Sequence, residues 1–129
     1  MNKKQKQQMQ KTFNKVVRHL LKQKKRSARE GGRLCLYRGP NGMKCAIGCL
    51  IPNKEYKEKM DYGYDVMKLW TSYPKLSVFK PVKHREHEYL KFLCMCQDIH
   101  DFNYPRQWKK ELLALANKYE LTFPTIKPR

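Results

Sequence analysis

The chain has 129 residues, 40% of them hydrophobic and 12% aromatic, which is enough for one compact core and too little for two domains of ordinary size. Its 29 Lys and Arg against 11 Asp and Glu give a formal net charge of +18, which favours phosphate backbones or acidic protein faces as partners and disfavours basic ones. No apolar run approaches the length of a bilayer span, and the basic N-terminus lacks the apolar stretch of a signal peptide, so no membrane partner is expected.

Residues 1–10 are polar, Lys- and Gln-rich, and are expected to form a flexible basic N-terminus. From Lys11 to Lys25 the apolar residues Phe13, Val16, Val17, Leu20 and Leu21 recur at helical spacing, while Lys11, Lys15, Arg18, Lys22 and Lys25 fall on the opposite side. The pattern predicts an amphipathic helix with a cationic outer face, ended by Ser27 and Gly31-Gly32. Twelve Lys and Arg lie in the first 33 residues against a single acid, Glu30, so this stretch holds +11 of the total.

Residues 33–38 then read as a short strand running into a tight turn at Gly39-Pro-Asn-Gly42, where Asn-Gly accepts positive φ. Met43 to Ile51 is expected to form a short buried helix rather than a return strand, because Cys45 and Cys49 are spaced i, i+4 and Ala46 and Gly48 are small; Pro52 stops it. One or two helical turns follow around Tyr56 and Met60, then a helix from about Tyr64 to Trp70. Pro74 and Pro81 bracket a loop anchored by Leu76, Val78 and Phe79. His84 to Asp101 is predicted helical, and a last helix opens on Pro105 and carries Trp108, Leu112, Leu115, Ala116 and Tyr119. The expected fold class is therefore mainly α: a single helical domain over 11–121, of about five helices with one hairpin-like strand-turn element, and an extended tail over 122–129. Trp70, Trp108, Leu112 and the Leu20-Leu21 face are the expected core.

Four constellations of side chains bear on chemistry. Cys45 and Cys49 on one helix face and Cys96 and His100 on another would together offer three thiolates and an imidazole to a structural zinc ion, against the commoner reading of buried free thiols. Five cysteines, an odd number, fit a reducing compartment in which thiols pack as small hydrophobes, and no cofactor is called for. A Cys-His mechanism would draw on Cys45 or Cys35, with His100 as base and Asp101 or Asp98 as orienter, but no nucleophile or oxyanion motif accompanies them. The Gly39–Gly42 turn beside Arg38 and Lys44 would present backbone N–H groups to a phosphate, yet it lacks the spacing of a nucleotide-binding loop. His84 and His87 sit in a mixed-charge helix opening, where phosphate contact or partial metal ligation is the rarer role.

The nucleic-acid reading draws on the most residues: Lys11, Lys15, Arg18, Lys22, Lys24, Lys25, Arg26, Arg29 and Arg33 form a cationic band, joined by Tyr37, Arg38 and Lys44 close in sequence. Tyr62, Tyr64 and Tyr73 are candidates to stack on unpaired bases. The net charge is well beyond the magnitude of about 2–8 that solubility asks of a small domain.

The block Cys35-Leu-Tyr-Arg38, Gly42-Met-Lys-Cys-Ala-Ile-Gly48 and Leu50-Ile-Pro52 resembles an uncharacterised family of small proteins encoded by tailed bacteriophages and bacterial prophages, with the pattern C-x-Y-R-x3-G-x-K-C-A-x-G-x-L-I-P. His19-Leu20, Ile99-His100-Asp101, Trp108 and Leu112 look similar too, so the likeness extends over most of residues 13 to 121. The basic N-terminal segment and the stretch from Tyr62 to Lys83 are richer here than in that pattern. The resemblance implies a phage origin and a role in the cytoplasm of an infected bacterial host, and carries no activity or site residues. Charge and resemblance together predict a phage-encoded basic accessory protein that binds RNA, DNA or a ribonucleoprotein such as the host ribosome through its N-terminal helix. The alternative is an inhibitor docking on an acidic surface of a host protein, such as RNA polymerase or a defence effector; a Cys-dependent enzyme or zinc module stands third.

Overall fold

The computed structural model of the chain describes residues 1–29 and 34–126. Four α-helices account for most of the regular structure: α1 Lys3–Gln23, α2 Val66–Ser72, α3 Glu88–Phe102 and α4 Trp108–Tyr119. Single 3-10 turns at Pro40–Gly42, Gly48–Leu50, Glu58–Asp61, Ser77–Phe79 and Pro105–Gln107 punctuate the connections. The fold is thus mainly α, as the sequence predicts, with four helices among the described residues in place of about five. Among the described residues no helix is long and apolar enough to cross a membrane.

The α1 helix starts eight residues before the predicted Lys11, so that residues 3–10 extend it by about two turns. A reciprocal cap is the reason: the Asn2 side chain accepts from the Gln5 backbone N–H at 2.8 Å, and the Asn2 N–H donates to Gln5 Oε1 at 3.1 Å. Met9 adds a further turn to the buried face formed by Thr12, Phe13, Val16, Val17 and Leu20. The helix stops at Lys24, which takes the left-handed conformation with φ 58° and donates its N–H to Leu20 O, so its end comes before the predicted Gly31-Gly32, which lie outside the described residues.

The expected strand-turn hairpin is reduced to one antiparallel backbone bridge, Ala28 with Cys35, supported by Leu36 N–H to Ser27 O at 2.8 Å. Residues 35–36 therefore pair backwards with 27–28 rather than forwards across the Asn-Gly turn. That turn does form, with Asn41 and Gly42 at φ 58° and 75°.

Over Met43 to Ile51 the predicted helix is shortened to a single helical turn, in which Cys49 N–H donates to Cys45 O at 3.0 Å and Leu50 N–H to Ile47 O at 2.9 Å. Gly48 lies against the Tyr37 backbone so closely that a Cβ there would come within 2.1 Å of Tyr37 O, and the segment closes into a compact turn instead. Cys45, Ala46, Ile47 and Ile51 are buried in it.

The core is built where α1, α3 and α4 meet, with Phe13, Phe92 and Trp108 fully buried and Phe92 meeting Tyr119 edge-on at 5.3 Å between ring centroids. Leu20 and Leu112 join it; Trp70 and Leu21, also expected there, are only half-buried. The segment after α4, residues 121–126, carries no helix or strand and is tied back to α1. Thr122 exchanges two hydrogen bonds with the Gln10 side chain, at 2.8 and 2.9 Å, and Leu121 and Pro124 are buried.

Candidate nucleic-acid interface

At 100° per residue the side chains of Lys4, Lys11, Lys15, Arg18 and Lys22 fall within about 60° of one another on α1. Their stripe faces away from the buried Phe13–Val16–Leu20 face and runs about 27 Å at a rise of 1.5 Å per residue. All five are exposed, and none has a carboxylate partner among the described residues. The one ion pair of a lysine or arginine with a carboxylate among the described residues is Lys6 with Glu120, 3.5 Å apart. Arg18 donates Nε to Thr125 O at 3.4 Å, a long contact that leaves its charge available. Lys4 stands outside the band that the apolar period marks, because one apolar residue, Met9, falls in the first turns of the helix; the Asn2–Gln5 cap pattern is the signal that places it.

The other cations named from the sequence divide by environment. Lys24, Lys25 and Arg29 are exposed beyond the end of α1. Arg33 lies outside the described residues. Arg26 is turned inward: its Nη2 donates to Asn103 O at 2.7 Å and its Nε to His100 O at 3.4 Å, so it closes the C-terminal end of α3. Lys44 is half-buried, its backbone held by the Gln23 amide and by the His19 ring, Nε2 to Lys44 O at 2.8 Å.

Tyr37 and Arg38 are not available as contacts. Tyr37 is buried, with its hydroxyl donating to Tyr64 O at 2.7 Å and its N–H to Asp61 at 2.6 Å. The Arg38 guanidinium donates to Gly48 O and Ile51 O, both at 2.6 Å, and to Asn53 Oδ1 at 3.1 Å, and lies 5.0 Å from the centre of the Tyr56 ring. It is a clamp on the turn that Gly48 begins, with Tyr56 itself fixed by a hydrogen bond to Asp61. Arg38 therefore plays no part in the cleft of about 290 Å³ beside Asn41 and Gly42, which His19 and Lys22 line instead. Of the candidate stacking residues Tyr62 is exposed, while Tyr64 and Tyr73 are half-buried against each other, 6.2 Å between ring centroids.

The proposed zinc ligands are not brought together. Cys45 Sγ accepts from Gly48 N–H at 3.3 Å, Cys49 Sγ donates to Ala46 O at 3.0 Å, and neither shares a ligand cluster with His100 among the described residues. Cys45 and Cys49 do share one helical turn, Cys49 N–H donating to Cys45 O at 3.0 Å, but that turn does not bring them into a cluster with His100 among the described residues. The cluster that does form is Cys35, His100 and Asp101, with ligand atoms within 4.8 Å of one another.

Its hydrogen bonds fix what it can do. His100 is fully buried, stacked on Trp108 at 5.3 Å, and its Nε2 accepts the Ser27 backbone N–H at 2.9 Å. The proton must then sit on Nδ1, which donates to Asp101 Oδ1 at 2.8 Å. The ring has no lone pair facing Cys35 or Asp101 with which to bind a metal or accept a thiol proton. Burial, and after it Asp101, push the Cys35 thiol up to about 12. Asp101 also accepts from Gln97 Nε2 at 2.8 Å, while Gln97 Oε1 accepts from Ile47 N–H at 3.0 Å. This network ties α3 to the Ser27 bridge and to the Cys45–Ile51 turn, which is an architectural role. The other thiols point the same way: burial lifts Cys49 to about 12 and Cys94 to about 11, and raises Cys45 and Cys96 as well.

Comparison with known protein families, with curated proteins and with solved structures gives no match to this chain.

Proposed function

We propose that this is a phage-encoded basic accessory protein that binds nucleic acid, free or in a ribonucleoprotein, through the cationic stripe of α1. One observation carries the reading: Lys4, Lys11, Lys15, Arg18 and Lys22 are aligned on the solvent side of one rigid helix with no internal carboxylate to neutralise them among the described residues. An array of that kind engages phosphates by counterion release, giving affinity that falls with salt and little dependence on sequence. The phage origin rests on the resemblance of the Cys35–Pro52 block, whose residues here have structural roles in the Arg38 clamp and the close approach of Gly48.

The test is capture from bacterial lysate with and without nuclease. Retention of RNA or DNA, lost on nuclease treatment and lost in a variant with Lys15, Arg18 and Lys22 changed to Glu, supports the reading. A protein partner that survives nuclease and is lost in the same variant would place the stripe on an acidic host surface instead.

A further inference from the structure

The α4 helix separates two surfaces of opposite character. On one flank, the end of α1, the start of α4 and the C-terminal segment enclose a groove of about 710 Å³ with an apolar floor of Leu21, Phe123 and Ile126 and a rim of Lys24, Arg106 and Lys109. On the other flank, a cleft of about 340 Å³ between α3 and α4 carries Asp98 and Glu111 against a single cation, Lys118, and Phe102 stands at its edge 79% exposed. Phe102 also borders a neighbouring cleft of about 250 Å³ lined by Asp61, Asp65 and Asp101. All four aspartates of this strongly basic chain thus lie around one exposed aromatic ring; Asp61, Asp65 and Asp101 are hydrogen-bonded within the chain, and Asp98 is the one left to meet a partner's cations. Lys109 and Glu111, two residues apart on a helix, point about 200° apart, which sets the two flanks back to back.

An occupant of the groove needs an apolar anchor for its floor and carboxylates for its three cations. We propose that the occupant is a second copy of this chain: Phe102 of one molecule seats in the groove of the next, with Asp98 beside it facing Lys24, Arg106 and Lys109. Anchor and groove are on opposite flanks, so the contact is heterologous and each copy keeps a free anchor at one end and a free groove at the other. The two surfaces are complementary in sign, and each supplies what the other lacks. The α1 stripe borders the groove at Arg18, which reaches Thr125 O at 3.4 Å, and repulsion between the stripes of neighbouring copies is screened beyond about 8 Å in physiological salt. If the stripe binds nucleic acid, such a chain of molecules would lay successive stripes along one strand, from which cooperative binding follows. The association itself does not depend on that.

Sedimentation velocity of nucleic-acid-free protein in physiological salt, over a rising concentration series, is the test. The expected result is a weight-average mass that grows past the dimer without a plateau. Two double variants, Phe102→Ala with Asp98→Lys and Arg106→Glu with Lys109→Glu, alter only exposed side chains; each is expected to remain monomeric with wild-type circular dichroism. Mixed at equal concentration, they should form a heterodimer that goes no further, because one good anchor meets one good groove. Wild-type protein that stays monomeric throughout, that stops at a closed dimer, or that associates as strongly in both variants would overturn the proposal.

Discussion

Removing the Arg38 guanidinium separates a structural role from a phosphate-binding one. In Arg38→Ala the carbonyls of Gly48 and Ile51 each lose a charged donor at 2.6 Å, Asn53 loses one at 3.1 Å, and Tyr56 loses its stacked cation. Hydrogen bonds to a charged group contribute about 1.5–3 kcal/mol each; the site is only half-buried, so the two short bonds at the low end give about 3 kcal/mol. Loss of the cation–π contact adds about 0.5 kcal/mol. Against a total stability of about 5–15 kcal/mol this is a large fraction, and for a chain of this size it corresponds to a fall in Tm of roughly 10 °C. Arg38→Lys keeps the charge but not the two-pronged reach, so it should fall between. Far-UV circular dichroism during thermal and urea unfolding reads the stability, and anisotropy of a labelled oligonucleotide at several salt concentrations reads the phosphate contacts. The account requires lower stability with an unchanged salt slope below the melting range. A Tm within a degree or two of wild type, or a slope reduced by about one phosphate contact with stability intact, would refute the clamp.

Other outcomes follow from the same geometry. Gly48→Ala should destabilise by about 3 kcal/mol, since the new Cβ meets a backbone carbonyl that cannot move aside, whereas Gly63→Ala, at φ 79° with nothing within 4 Å, should cost only about 1 kcal/mol; urea midpoints compare them. All five thiols should alkylate slowly in native protein at neutral pH and rapidly after unfolding, and a thiol that reacts fast in the native state would contradict the raised thiols described above. His19 is held below its ordinary value of 6.5, chiefly by burial. The unfolded chain therefore takes up a proton first, so stability from this group is complete above about pH 6.5 and is lost as pH falls toward the folded value. Unfolding midpoints measured from pH 7.5 to 5 should show that loss, reduced in His19→Gln; an identical pH profile in the variant would remove His19 as the cause.

The sequence revealed those features that a regular period transmits. Phe13, Val16, Val17 and Leu20 declare the buried side of α1, and the cationic stripe follows from them by geometry alone. Trp108, Leu112, Leu115, Ala116 and Tyr119 do the same for α4. The first turns of α1 were missed because a single apolar residue, Met9, marks them, although Asn2 with Gln5 spells a reciprocal cap. The Cys45–Ile51 segment misled for a different reason. Small residues at Ala46 and Gly48 suit close helix packing and suit equally the approach of a distant backbone, and only the position of Tyr37 decides between them. Arg26 and Arg38 count as cations in any composition, yet each is spent on carbonyls that the fold brings to it. The Ser27–His100–Asp101–Gln97 network joins residues up to 73 positions apart, as in Ser27 to His100, and no local spacing encodes it.

The central claim, that the α1 stripe is an adhesive for phosphate, is tested most directly by the salt dependence of binding to a generic oligonucleotide. Five side chains that each neutralise one phosphate predict a slope of log K against log salt of about −3.5 on a single strand and about −4.5 on a duplex. Changing Lys15, Arg18 and Lys22 to Ala, which leaves the helix intact, should make that slope shallower by about 2 on the single strand and about 2.7 on the duplex. A slope identical in wild type and variant, or no measurable binding by wild-type protein at low salt, would contradict the account.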